Sequence, residues 1–310
     1  MVGPRVRTAV LFAAIIGLFV VVGGLVGEYL LGSFLGGLVV ALGLSLVLNL
    51  VSYFFCDRFV LWANRAQLVT EADAPRLGRI VRDLAPRFGL QHPRLAIVPT
   101  QTPNAFATGR DAEHAVVAAT EGALRLLNDR ELTGVLAHEL AHIKDRDILV
   151  MTFAATLAGA ISYVSQWVIF SSLFGGSNRG SGNGWLVLVA AITAPIAAML
   201  IQLGISRARE SRADEVGART IRDPNALADA LEKLEHYNER RPMPFGSPAS
   251  SSLFIVNPFR GSTLAALFST HPPIERRIEA LRAMAADHRY APEIRSPTFR
   301  APTVGRTLGN

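Results

Sequence analysis

His138-Glu139-Leu140-Ala141-His142 is the stretch of this sequence that decides the fold. Residues four apart lie one turn apart on the same face of a helix. On a helix, His138 and His142 can therefore both reach one zinc ion, at the ~2.0–2.1 Å of a zinc–imidazole bond. Glu139 lies beside the first ligand, where its carboxylate can act as a general base on a water whose pKa zinc lowers to about 7.

The residues around this stretch predict the helix that it needs. Asn128 is followed three residues later by Glu131, the pattern of a capping box at a helix start. Apolar residues then recur at helical spacing, which predicts a buried face. They are Leu132, Val135, Leu136 and Ile143.

A catalytic zinc site needs a third protein ligand, and the neighbouring sequence does not supply one. The residue six positions after the second histidine is Ile148, which cannot bind a metal. Glu210 and Asp214, also four apart, are the best candidates for a ligand and for a group that holds a ligand imidazole. On residues alone, these carboxylates could equally pair with the arginines around them on a solvated face.

Four apolar runs indicate a membrane protein, because a helix needs roughly 20 apolar residues to cross the hydrocarbon core. They cover residues 9–26, 38–55, 148–170 and 185–205. The last two form a hairpin, which returns the Glu210 segment to the face of the membrane where the histidine helix ends. This topology favours Glu210 as the third ligand.

The charge pattern predicts the orientation. The chain of 310 residues carries a net charge of +6, and Lys and Arg gather outside the connections at 27–37 and 171–184. The positive-inside rule then places both termini and the polar segments in the cytoplasm. We find no nucleic-acid-binding module, so the charge indicates no nucleic-acid partner. The single cysteine, Cys56, excludes an internal disulfide.

Five regions are predicted from these patterns. Two membrane helices occupy residues 1–56, and a hairpin occupies 148–205. Residues 57–147 and 206–290 form the polar catalytic part, and 291–310 a disordered tail. The polar part should hold helices near 74–88, 206–222 and 224–240, a helix after Pro272-Pro273, and short strands at 95–98 and 114–119.

The chain resembles the M48 peptidases, and most closely the HtpX-type membrane proteases of bacteria. The resemblance covers nearly the whole chain except the tail. It rests on four motifs: NAFA at 104–107, HELAH at 138–142, SRxxExxAD at 206–214, and His271-Pro272-Pro273 with Arg277. It implies a mainly α membrane protein with four transmembrane helices. It also implies a cytoplasmic α+β protease domain of the zincin-like (gluzincin) type, which carries a small sheet.

The resemblance also implies roles for single residues. Glu210 should be the third zinc ligand and Asp214 an outer-shell partner. His271 and Arg277 should act in catalysis, with His271 stabilising the tetrahedral intermediate. Residues near the substrate backbone should include those of the first motif and of an edge strand at 114–119, whose free N–H and C=O groups suit any extended peptide. They are Asn104, Ala105, His114 and Val116. On residues alone, a histidine before Pro-Pro is more often a helix-start residue than a catalyst, and Asn104 could equally be a turn residue.

Three functions compete. The first is a zinc endopeptidase, with one zinc ion per chain, that cleaves membrane proteins and unfolded peptides at the cytoplasmic face of the bacterial inner membrane; the resemblance implies membrane quality control. The second is a protease that cuts within the bilayer, which the charged residues flanking the motif at 129–131 and 144–147 disfavour. The third is a non-catalytic membrane scaffold that retains the fold. The sequence does not predict the oligomeric state.

Overall fold

A computed structural model describes residues 32–149, 151–152, 207–240, 242–245, 253–257 and 273–287, together with residues 13 and 17. Three of the four apolar runs, at 9–26, 148–170 and 185–205, lie almost wholly outside the described residues, as does the tail at 291–310. The region boundaries that depend on these runs stay predictions.

Helix α1, Phe34–Ala63, contains the remaining apolar run and extends beyond it at both ends. Its start is capped by Ser33, whose Oγ accepts a hydrogen bond from the Gly36 N–H at 3.0 Å. Many of its large apolar side chains are exposed, among them Leu35, Val40, Leu50 and Trp62. Within the part of the chain that the structure describes, no helix is both long and apolar enough to cross a membrane.

A four-stranded mixed sheet follows, with strands β1 Gln67–Val69, β2 Arg94–Val98, β3 Ala105–Thr108 and β4 Val116–Thr120. The strand order is β1-β2-β4-β3. Strands β2 and β4 are parallel, and the other two pairs are antiparallel. Within the described sheet, β3 is therefore an edge strand, and β4 lies between it and β2.

The prediction that the strand at 114–119 lies at an edge of the sheet is wrong. This strand begins at Val116 and lies between β2 and β3, with its backbone paired on both sides. His114 lies in the turn before it. All five residues of β4 are buried, as expected of a strand with both faces covered. The unbroken apolar run at 115–119 is typical of a strand that is buried on both faces.

Further helices follow among the residues that the structure describes. Helix α2 is Pro75–Leu84, followed by a 3-10 turn at Ala85–Phe88; α3 is Glu121–Leu126, α4 Asp129–Lys144, α5 Arg207–Ile221, α6 Pro224–Arg240 and α7 Ile274–Ala285. The helices predicted for the polar part are confirmed to within a few residues. Helix α3 was not predicted. Its N-cap is Thr120, whose Oγ1 accepts a hydrogen bond from the Ala123 N–H at 3.0 Å.

Helix α4 lies at the centre of the described fold, where two glycines let its neighbours come close. A Cβ at Gly134 would lie 2.6 Å from the backbone N of Leu227, in α6. A Cβ at Gly217, in α5, would lie 3.0 Å from the backbone N of His138. The second glycine thus allows α5 to approach α4 at the level of the first histidine.

Helix α4 is fixed at its start by the predicted capping box. The Glu131 N–H donates to Asn128 Oδ1 at 2.9 Å, and the Asn128 N–H donates to Glu131 Oε2 at 3.0 Å. The Glu131 carboxylate is buried and also pairs with Lys233 Nζ of α6 at 2.8 Å. Cap and ion pair together hold the first turn of the helix.

Replacing Asn128 by alanine should lower the free energy of unfolding by about 1 kcal/mol, because one helix N–H loses its acceptor. Denaturant unfolding of the two proteins in the same detergent measures this difference. Asn128→Ser keeps a capping oxygen and should retain most of the stability. An equal loss in both variants would contradict the capping role.

Candidate metal centre

Three buried side chains from two helices meet in a cluster that can hold a metal ion: His138, His142 and Glu210. The Nε2 atoms of the two histidines are 3.2 Å apart. Glu210 Oε2 lies 3.6 Å from Nε2 of His138, and Oε1 lies 3.5 Å from Nε2 of His142. Helix α4 supplies the imidazoles one turn apart, and the first turn of α5 supplies the carboxylate.

These separations suit a zinc ion. Ligand atoms that each lie about 2.0–2.1 Å from one tetrahedral zinc are about 3.3 Å apart. The three separations in the structure, one between the imidazoles and one from each imidazole to a different Glu210 oxygen, lie between 3.2 and 3.6 Å. Two imidazoles and one carboxylate are also the donor set of catalytic zinc sites that keep a fourth position for water or substrate.

Behind His138, a second layer of side chains fixes the ring. Its Nδ1 lies 2.8 Å from Asp214 Oδ1, and Asp214 is held in turn by two hydrogen bonds from Arg277, at 2.8 and 2.9 Å. Burial of Asp214 by itself raises its pKa, but the Arg277 guanidinium and the contact with His138 outweigh that effect and lower the pKa to about 2. The aspartate is therefore charged at neutral pH and orients Nε2 of the ring toward the cluster.

The two imidazoles differ in their titration. Burial lowers the pKa of His138 to about 4, so its ring is neutral and ready to bind a metal. Burial also lowers the pKa of His142, but the Glu210 carboxylate and other acidic neighbours outweigh it and raise that pKa to about 9. At neutral pH, the metal-free site therefore holds a proton that a metal must displace.

Metal binding near pH 7 should therefore release at least one proton per chain. Titration calorimetry in two buffers of different ionisation enthalpy measures the number released. Above about pH 9 the release should vanish, because His142 is then already neutral. A release of zero at pH 7 would contradict the protonated state of the metal-free site.

Glu139 is buried next to the metal-binding group. Burial, aided by the nearby Glu210 carboxylate, raises the pKa of Glu139 to about 8, while His142, Arg277 and the Ala107 amide oppose that rise. A carboxyl group whose pKa lies near the working pH can both accept and return a proton. This is the property that a general base and acid needs.

Asn104 and Ala105, of the NAFA motif at 104–107, form hydrogen bonds with residues 255–256 of the same chain. The buried Asn104 side chain donates from Nδ2 to the Val256 carbonyl at 2.5 Å, and its Oδ1 accepts from the Val256 N–H at 3.4 Å. The Ala105 carbonyl accepts a hydrogen bond from the Ile255 N–H at 3.2 Å. Residues 253–257 thus lie along the outer side of β3, and the described contacts of Asn104 are structural.

The structure brings some predicted residues to the cluster and not others. Arg277 contacts Asp214 and the Ile255 carbonyl, at 2.9 Å, so its described contacts position other groups. His114 pairs with Asp111 at 2.6 Å and is half-exposed. The backbone of Val116 is taken up by pairing within the sheet, which corrects its predicted place on a free edge. His271 lies outside the described residues.

Two buried residues of the site were missed. Asp147 and Arg209 lie behind His142, 3.3 Å from each other. The sequence held a weak signal for both. Asp147 follows the second histidine by five residues, and Arg209 immediately precedes Glu210.

Comparison with known proteins gives concordant results. The model of Peptidase family M48 matches residues 71–285. A Protease HtpX homolog of Syntrophobacter fumaroxidans is 52% identical over 287 residues, covering 91% of this chain and 100% of that protein. A Protease HtpX homolog of Pyrococcus furiosus is 51% identical over 288 residues, covering 92% and 98%. One from Paraburkholderia phytofirmans is 47% identical over 289 residues, covering 92% and 98%.

Among solved structures, the crystal structure of S. mikatae Ste24p aligns with a TM-score of 0.47 at 18% identity. The alignment covers 89% of this chain and 65% of that one, so this chain spans slightly less than two thirds of its length. This likeness is too weak to add to the conclusions above.

Proposed function

Since this chain belongs to peptidase family M48 and is a metalloprotease, we propose that it is a zinc-dependent endopeptidase acting on membrane proteins and unfolded segments beside the bilayer. One observation carries the proposal. The buried His138, His142 and Glu210 donors meet at separations that suit zinc, and Glu139 is buried beside them.

The three donors would hold the ion and leave room for a water or a substrate carbonyl. When bound, zinc supplies a Lewis acid that polarises the carbonyl and lowers the pKa of a water to about 7. The carboxylate–imidazole contact of Asp214 with His138 would keep that ring in the tautomer that binds metal through Nε2.

Glu139 would move the proton of the reaction. Its carboxylate takes a proton from the attacking water as the oxygen bonds to the scissile carbonyl carbon. The same carboxyl group then passes that proton to the nitrogen of the leaving amine as the C–N bond breaks. Burial raises the pKa of Glu139 to about 8 in the metal-free protein, and the charge of a bound zinc ion would lower that pKa and favour the carboxylate that accepts the proton.

The bilayer is proposed as the surroundings of the enzyme. Four apolar runs in the sequence support this, as do the exposed apolar side chains of α1. The distribution of Lys and Arg around the runs supports a cytoplasmic site and cytoplasmic termini in a bacterial inner membrane. Substrates would then be membrane proteins cut in their cytoplasmic segments, and a role in membrane quality control follows as part of this proposal.

Removing the metal tests the proposal. The full chain, purified in detergent, should contain about one zinc per chain and should degrade casein, an unfolded protein. A chelator should stop the degradation, and zinc added in slight excess should restore it, because the water and the carbonyl are no longer activated without the ion. Degradation that persists in a metal-free sample would contradict the proposal.

The position of the cut in a substrate tests on which side of the membrane the active site lies. A membrane substrate carrying the same cleavable segment in a cytoplasmic loop or in a periplasmic loop should be cut only in the first form. Cleavage of the periplasmic form alone would contradict the proposed orientation and leave the zinc chemistry standing.

A further inference from the structure

A buried aspartate and a buried arginine lie behind the second imidazole of the cluster. Asp147 Oδ2 is 3.7 Å from Nδ1 of His142, and Asp147 Oδ1 is 3.3 Å from Nη1 of Arg209. The exposed fractions of these side chains are 11% for Asp147, 6% for Arg209 and 2% for His142. Each member of the chain imidazole–carboxylate–guanidinium therefore lies out of bulk water.

The same order of groups stands behind the first imidazole. There, Asp214 faces Nδ1 of His138 and is held by the buried Arg277. The two histidines turn their Nε2 atoms toward Glu210 and their Nδ1 atoms toward separate aspartates. The site thus has two parallel supports, one for each histidine.

Burial of these charges requires a reason. A buried carboxylate and a buried guanidinium are costly unless they are paired and hydrogen-bonded, and replacing such a pair by apolar residues is often neutral or stabilising. An isolated ion pair at this place would gain the protein little stability. A pair that also holds a metal ligand has a function that apolar residues cannot replace.

The backbone is bent to bring the aspartate to this position. Helix α4 ends at Lys144, and Arg146 then has a φ of 60°. This left-handed conformation costs a residue other than glycine about 1–2 kcal/mol. Strain of this kind persists where the surrounding structure requires it, and here it turns the chain so that the next residue faces back toward His142.

We propose that Asp147 is a positioning residue for the second metal ligand. Its carboxylate faces Nδ1 of His142 at 3.7 Å, favours a proton on that nitrogen and so leaves the Nε2 lone pair for the metal, and Arg209 holds the carboxylate in place. Arg209 also precedes Glu210 in α5, so the ion pair fixes the third ligand relative to the end of α4. The inference rests on the metal site proposed above.

Zinc affinity, measured on the full chain by competition with a chromophoric chelator, tests the inference. Asp147→Ala should weaken zinc binding about 10–100-fold, the effect typical of losing an outer-shell partner. Asp145→Ala is the matched control, because Asp145 pairs with Arg212 across the same two helices at 2.6 Å without an imidazole contact. It should change the affinity by less than about twofold.

Two further measurements distinguish a positioning role of Asp147 from a merely structural one. Asp147→Asn keeps an oxygen that can accept the Nδ1–H, so it should bind zinc more tightly than Asp147→Ala. The visible absorption bands of the cobalt-loaded protein should shift in Asp147→Ala and stay unchanged in Asp145→Ala, because only the first reorients a metal ligand.

If Asp147→Ala does not fold, Arg209→Met and Arg212→Met form a second matched pair. The first should weaken zinc binding at least about threefold, and the second should not change it. If the parent binds zinc and the two variants of either pair bind zinc equally tightly, the inference is wrong. The proposed function would still stand in that case. A parent that binds no zinc would overturn the proposed function together with it.

Discussion

Replacing Glu139 by glutamine should slow peptide hydrolysis about 10²–10⁴-fold while the protein keeps its metal and its fold, because the amide cannot accept a proton from water. Glutamine has nearly the same shape as glutamate and fits the same buried position. The three donors His138, His142 and Glu210 remain. Initial rates of hydrolysis of a quenched fluorescent peptide, with zinc content measured on the same sample, give the two numbers.

The stability of this variant relative to the parent depends on pH in a defined direction. The pKa of Glu139 in the folded, metal-free protein is about 8, above the ordinary 4.5. The folded state therefore binds more protons than the unfolded state between these values, and the parent loses stability as pH rises through that window. Glutamine does not titrate, so metal-free Glu139→Gln should be at least as stable as the parent at pH 8.

Glu131 offers the matched control for this experiment. It is a second buried glutamate on the same helix, and its carboxylate caps Asn128 and pairs with Lys233. Glu131→Gln should cost stability and leave the rate per zinc-loaded molecule close to that of the parent. If Glu139→Gln hydrolysed the peptide as fast as the parent, Glu139 would not be the base. A parent without hydrolytic activity would favour the scaffold hypothesis.

Replacing Glu210 by alanine should weaken zinc binding by more than the roughly 10–100-fold expected for an outer-shell residue, because a direct ligand is lost. The variant keeps two imidazoles 3.2 Å apart, which alone form an incomplete site. Hydrolysis should fall in parallel at zinc concentrations that saturate the parent. Chelator competition over a wide range of free zinc measures the affinity.

Glu215, on the same helix, is the control for this change. Its carboxylate is about half-exposed and pairs with Arg219 at 2.5 Å on the outer side of α5. Glu215→Ala removes an identical group from the same helix and should leave zinc binding unchanged. Equal zinc affinity in Glu210→Ala and Glu215→Ala would show that the third ligand is another residue.

The parts of the fold that depend on near neighbours in sequence were predictable. Asn128 and Glu131 are three residues apart, and His138 and His142 four, so helical geometry alone relates their side chains. The approach of Glu210 needed one further argument, a hairpin inferred from two apolar runs. Gly217, whose missing Cβ leaves room for His138, shows how closely the two helices meet.

The parts that depend on distant pairings were not predictable from local pattern. The sequence of β4 predicts a short apolar strand. It lies inside the sheet because it pairs with β3 and β2, which precede it in sequence by about ten and twenty residues. Asn104 is bound by Val256, 152 residues away. Asp147 and Arg209 are 62 residues apart. No periodicity within either segment relates such partners, because only the tertiary fold brings them together.

The distance along the chain between the metal donors has a consequence for synthesis. Glu210 is made 68 residues after His142 (210 − 142), and Arg277 later still. At about 5–20 residues per second, a ribosome needs several seconds to cover the first interval. During that time the nascent polypeptide has both imidazoles and the base but no third donor. We therefore expect a newly made molecule to be inert, and so harmless to neighbouring chains, until the residues of α5 have been made.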